Sequence, residues 1–121
     1  MNRRNRAYQE PHFALATVLA AAAHRDVIVT NRAAQEAGTS FPPDLVDLDV
    51  ELREVVRSLV PEEFQFAQRQ SLSAGAVTWV DVYRIDFEGC DIWLKIKLES
   101  DRHGEYVVII SCHEWDENIP I

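Results

Sequence analysis

The chain is poor in the residue patterns that advertise chemistry. Its two cysteines, Cys90 and Cys112, fit no CxxC or paired zinc spacing, so a reduced, cytoplasmic setting is the default expectation. It contains no HExxH, no phosphate-binding glycine loop and no Ser/His/Asp spacing pattern, and residue types alone therefore license no enzyme class. Internal repeats and low-complexity segments are absent. Positive charge is scarce, with 12 Lys+Arg against 20 Asp+Glu and a net charge of -8. So acidic a body repels phosphates unless its basic groups gather on one face, and any nucleic-acid function requires such a face. Long hydrophobic runs are also missing: "FALATVLAAAA", residues 13 to 23, is too short to cross a bilayer. The basic "MNRRNR" ahead of it imitates a signal peptide, but Gln9-Glu10-Pro11-His12 separates the two parts and alanine is only weakly hydrophobic. The expectation is a soluble cytoplasmic protein.

What is present is ordinary globular material. With 121 residues, 47% hydrophobic and 26% charged, residues 1–121 read as a single domain whose first ten residues form a flexible basic N-terminus. Pro11 suits the first turn of a helix running from Ala14 to His24. "DVIVT" is a short β-branched piece, after which Thr30 or Asn31 caps a brief helix that Gly38 ends. "TSFPPD" is a loop. The strongest helical pattern lies near Asp47 to Leu59, where Leu48, Leu52, Val55, Val56 and Leu59 make one apolar stripe and Pro61 stops the helix. The remainder is strand-like: "FQFAQRQSL", "VTWVDVYRI", "DIWLKIKLE" and "YVVIISCH", separated by "SAG", "DFEG" and "SDRHG" turns. Helices first and hairpins afterwards predict an α+β fold, with N-terminal helices on one face of an antiparallel sheet of about four main strands.

The third of these strands divides into two faces. Ile92, Leu94, Ile96 and Leu98 belong beneath the helices, whereas Trp93, Lys95 and Lys97 face away on an open surface. The second strand offers Trp79, Asp81 and Tyr83 or Val80, Val82 and Arg84. The last offers Val107, Ile109, Ser111 and His113 or Val108, Ile110, Cys112 and Glu114. Alternation does not register these sets to one another. Each candidate also has a structural reading: Trp79 and Tyr83 as core, Lys95 and Lys97 as a solvated face, His113 as a strand end. Cys112, His113, Glu114, Cys90 and His103 could in principle ligate zinc. Neighbouring strand residues point to opposite faces, however, which sets Cys112 and His113 apart.

"WVDVYRIDFEGCDIWLKIKLE" followed by "VVIIS", with "PHFAL" near the start and "SLVPEEF" after the long helix, resembles the MqsR (motility quorum-sensing regulator) family of bacterial type II toxins. The resemblance runs over nearly the whole chain in consistent order. It implies a RelE-like fold, metal-independent cleavage of mRNA, no cofactor, and a cognate antitoxin as partner. The family's active-site types are replaced here. Its lysine on the first main strand falls at Phe66 or Gln68, its glutamine beside the tryptophan at Val80, its tyrosine at Trp93 and its last lysine at His113. The resemblance also implies that Val80, Arg84, Trp93, Lys95, Ser111 and His113 share the open face. On that basis His113, Arg84 and Lys95 are the candidate catalytic residues, and Trp93, Lys97, Gln68 and Ser111 the candidate substrate-binding residues. His113 would move protons, the two cations would neutralise phosphate, and Trp93 would stack on a base. The competing readings are a catalytically degenerate RelE-like interaction module and a metal-dependent hydrolase using the Cys/His/Glu cluster.

Overall fold

The computed structural model describes residues 10–40, 47–71 and 75–114. Most of the expected basic N-terminus, the Phe41–Asp44 part of the "TSFPPD" loop and most of the "SAG" turn lie outside these residues, while Thr39 and Ser40, read as loop, belong to a helix. Helix α1 spans Leu15–His24. It starts later than the proline implied, because the backbone N–H groups of His12 and Phe13 are held by the Asp81 carboxylate at 2.8 and 2.9 Å. That contact fixes Pro11 and its neighbours upstream of the first turn. Val18, Ala21 and Ala22 face inward, and the small alanines allow close approach to the sheet.

Strand β1 is only Ile28–Val29. Helix α2 follows over Asn31–Ser40. Thr30 caps it, its Oγ1 accepting the Ala33 N–H at 3.1 Å. Gly38 does not end this helix, contrary to the sequence reading. It keeps a negative φ, so it never enters the left-handed conformation that a glycine stop uses. Packing of Ala33 and Ala37 into the core holds that turn helical instead. Helix α3 spans Leu48–Arg57, with the Asp47 side chain accepting from the N–H groups of Asp49 and Val50. Its buried Leu52, Val55 and Val56 realise the apolar stripe. The helix ends before Leu59, the Ser58 N–H turning back to the preceding carbonyls. Pro61 opens a separate 3-10 turn, Pro61–Glu63.

The main strands are β2 (Phe64–Ser71), β3 (Val77–Phe87), β4 (Cys90–Asp101) and β5 (Gly104–Glu114). They form an antiparallel meander, and β1 adds in parallel beyond β5, giving the order β1-β5-β4-β3-β2. The α+β expectation therefore stands, with one short strand more than the four anticipated. Glu88 and Gly89 join β3 to β4 with φ of 52° and 81°, the two positive values of a tight hairpin turn. Tyr83, Ile85, Ile92, Leu94, Ile96, Val107, Ile109 and Cys112 meet the helices in one core. Among the described residues, no helix is long and apolar enough to cross a membrane.

One irregularity decides the faces of β5. Lys95 pairs with Ser111 but Ile96 pairs with Ile109, so Ile110 is an extra, bulged residue. Neither alternation set anticipated for this strand is therefore correct. Val107, Ile109 and Cys112 lie on the helix side, while Val108 and Ile110 join Val80 on the far side with Ser111.

Candidate functional site on the far face of the sheet

The register arranges the far face as a grid. On β5 stand Ser111 and His113; opposite them on β4 stand Lys95 and Trp93. Across β4, Lys95 pairs with Val82 and Trp93 with Arg84. On β2, Phe66 pairs with Val82 and Gln68 with Val80. A second bulge, between Phe64 and Phe66, makes this possible, since it leaves Phe64 on the core side while turning Phe66 outward. The Phe66 and Trp93 rings then lie 6.2 Å apart. Val80, Trp93 and His113, together with both alternatives for the first strand, Phe66 and Gln68, are thus on one face.

The face is not the open surface that alternation suggested. Trp93 is 7% exposed, Lys95 5% and Ser111 fully buried. Phe66 and Arg84 close over Trp93, the guanidinium standing 5.9 Å from the ring centroid. Helix α2 closes over Lys95 and Ser111 from the β5 side: Glu36 accepts the Ser111 Oγ–H at 2.8 Å.

Two of the expected phosphate-binding cations already hold carboxylates. Arg84 grips Asp91 through Nε to Oδ1 at 2.9 Å and Nη2 to Oδ2 at 2.6 Å, which lowers the Asp91 pKa, only partly opposed by burial. Lys97 forms an ion pair with Glu99 and lines a separate groove with Arg25, Ile28, Tyr106 and Val108. It is one step along β4 from the grid and not within it. Lys95 differs. Burial pulls its pKa below the ordinary lysine value, nearby Arg32 adds to this, and Glu36 opposes it. A lysine whose proton affinity is weakened by burial and a neighbouring cation is a recurrent feature of functional sites.

His113 places Nδ1 3.0 Å from the Glu114 carbonyl oxygen. A carbonyl only accepts, so Nδ1 is the donor in this contact, and in the neutral ring that leaves the lone pair on Nε2. Cys112, its neighbour, points the other way into the helix-side core, where burial pushes its thiol up to about 12. The two therefore sit on opposite sides of the sheet, and among the described residues no three His, Cys, Asp or Glu side chains gather as a metal set. Sequence reasoning missed Asp91, Glu36 and Arg32. The Arg32–Glu36 spacing of four on a helix was visible, but nothing in the sequence aimed it at β5.

Residues 10–114 match the family described as "Motility quorum-sensing regulator, toxin of MqsA". The chain belongs to the MqsR toxin family. No curated protein matches it. MqsR-family membership makes it a toxin of a toxin–antitoxin system, with an antitoxin as the implied partner. Among the described residues, the matched span contains the three helices, the five strands and every residue of the far-face grid.

Proposed function

We propose that this MqsR-family toxin is a metal-independent endoribonuclease that cuts mRNA in the cytoplasm, and that the far face of its sheet is the active site. The observation that carries this reading is Lys95, 5% exposed and paired in register with Ser111, beside the Trp93–His113 pair. In RNA cleavage the 2′-hydroxyl attacks the adjacent phosphorus, and the bond from phosphorus to the 5′ oxygen breaks. A cyclic phosphate and a 5′-hydroxyl result. Nε2 of His113 takes the 2′-hydroxyl proton, and the Lys95 ammonium neutralises the phosphorane and protonates the leaving oxygen. Phe66, lying over Trp93, offers aromatic surface for a base, and Gln68 offers hydrogen bonds to the substrate. Arg84 and Lys97 supply charge for flanking phosphates when these displace Asp91 and Glu99, while the buried Ser111 braces the site.

Incubation of the purified protein with RNA in a chelator tests this directly. Cleavage is expected, with none when the attacking 2′-hydroxyl is replaced by hydrogen. His113→Ala should be slower by about 100-fold or more, the usual worth of a general base. Equal rates for parent and variant would remove His113 from the mechanism.

A second reading, a catalytically degenerate binding module, is favoured by the Arg84–Asp91 and Lys97–Glu99 pairs, which neutralise two of the cations. Growth arrest on induction in bacteria, abolished by His113→Ala, would count decisively against it.

A further inference from the structure

Among the described residues, the short β1 leaves most of the β5 edge without a partner strand. It pairs only with Val108 and Ile109, after which α2 takes over the edge with side chains. The Thr30 N–H donates to the Ile109 oxygen at 3.2 Å, and Thr30 Oγ1 to the Ile110 oxygen at 3.2 Å. One turn further on, Glu36 Oε1 accepts both the Cys112 N–H at 3.1 Å and the Ser111 hydroxyl at 2.8 Å. Its other oxygen lies 3.6 Å from Arg32 Nε. A carboxylate is thus anchored at the bulge, against the residue that pairs with Lys95. Such an arrangement is more than an edge filler, because an amide or a water would satisfy the same donors without bringing charge.

We propose that Glu36 is a positioning residue of the far-face site, fixing the Ser111 hydroxyl and supplying the negative charge that Lys95 faces. The charged and titratable groups around Lys95 are few. Its own strand brings Lys97, paired with Glu99; β3 brings Arg84, paired with Asp91; β5 brings His113; α2 brings Arg32 and Glu36. Asp91 and Glu99 are therefore engaged by other cations, and Glu36 is the carboxylate that opposes the burial of the ammonium. With Glu36 charged, Lys95 keeps its proton to higher pH and can meet a phosphate. The functional part of this inference rests on the nuclease reading; the electrostatic part does not.

The test follows Lys95 itself, by carbon-13 NMR of its labelled ε-carbon as pH is raised, with Lys95→Met supplying the assignment. Glu36→Gln keeps an oxygen for Ser111 and Cys112 and removes only the charge. In that variant the Lys95 midpoint should fall by about one pH unit, with the near-UV spectrum of the folded protein unchanged. Arg32→Gln, at an exposed helix position where folding is not at risk, should move it the opposite way. The alkaline limb of RNA cleavage should shift with the midpoint in each case. A midpoint that moves in a protein that never cuts RNA would uphold the role of Glu36 and refute the nuclease. An unmoved midpoint in Glu36→Gln, or shifts of the same sign in the two variants, would overturn the proposal.

Discussion

At the scale of single residues, the far face is a set of cations with unequal freedom. Among them, Lys95 has a pH-dependent consequence for stability. Its native pKa is depressed below 10.5, chiefly by burial. Between that depressed value and 10.5 the unfolded chain binds the extra proton, so the parent gains stability as pH rises through this window. Lys95→Met removes the charged group while keeping its volume. The variant should therefore be more stable than the parent at pH 7, and the gap should shrink as pH approaches 10.5. Urea unfolding at both ends of the window checks this; a gap independent of pH would show that burial does not weaken the lysine. Asp91 poses the complementary case. Asp91→Asn loosens the two-point grip on Arg84, which should tighten RNA binding and steepen its salt dependence by about 0.7 in the log–log slope, one phosphate contact on a single strand. Unchanged affinity would mean that Arg84 does not reach the RNA. The sequence displayed Arg84 and Asp91 seven residues apart, but only the hairpin brings them to diagonal positions on neighbouring strands. Their pairing was therefore not legible in the linear pattern.

At the scale of elements, the helices divide into one that carries stability and one that also shapes the site. Asp47 caps α3 far from the grid, and Asp47→Ala should cost about 1 kcal/mol of unfolding free energy while leaving RNA cleavage intact. Thr30 caps α2 and also ties it to the bulge at Ile110. Thr30→Val should cost a similar amount, about 1 to 2 kcal/mol. Unlike the Asp47 change, it should also slow cleavage and speed hydrogen exchange at Cys112, whose N–H depends on the placement of Glu36. Equal cleavage by the two variants would separate α2 from function. The amphipathic stripe of α3 and the alternation of β4 were legible because each has a regular period. The bulges in β2 and β5 were not, since an extra residue breaks the period without leaving a compositional mark. The Gly38 stop failed for a related reason: two alanines packing on the core outweighed the local preference of one glycine.

At the scale of the whole molecule, a net charge of -8 surrounds a site that, under the proposed function, receives a polyanion. Binding should then depend on a few local cations. With Lys95, Arg84 and Lys97 as the contacts, the log–log salt slope for single-stranded RNA should not exceed roughly 2 in magnitude. A slope near 5 would mean that RNA runs over other basic groups. The sequence by itself determined the two-layer α+β arrangement and which face of β4 lies under the helices, because periodicity and apolar burial act locally along the chain. The family pattern it carries is likewise a property of residue order, and the match over residues 10–114 bears it out. The tertiary structure alone decided that a bulge in β5 is what brings Ser111 to the face the resemblance implied, that Arg84 and Lys97 are already paired, and that Lys95 is covered. It also decided that a helical glutamate stands against the β5 bulge. The Arg84–Asp91 and Lys97–Glu99 pairs are close in sequence and depend on strand geometry, whereas the others follow from contacts between distant residues, 75 positions in the case of Glu36 and Ser111. Residue order carries no periodic trace of such contacts.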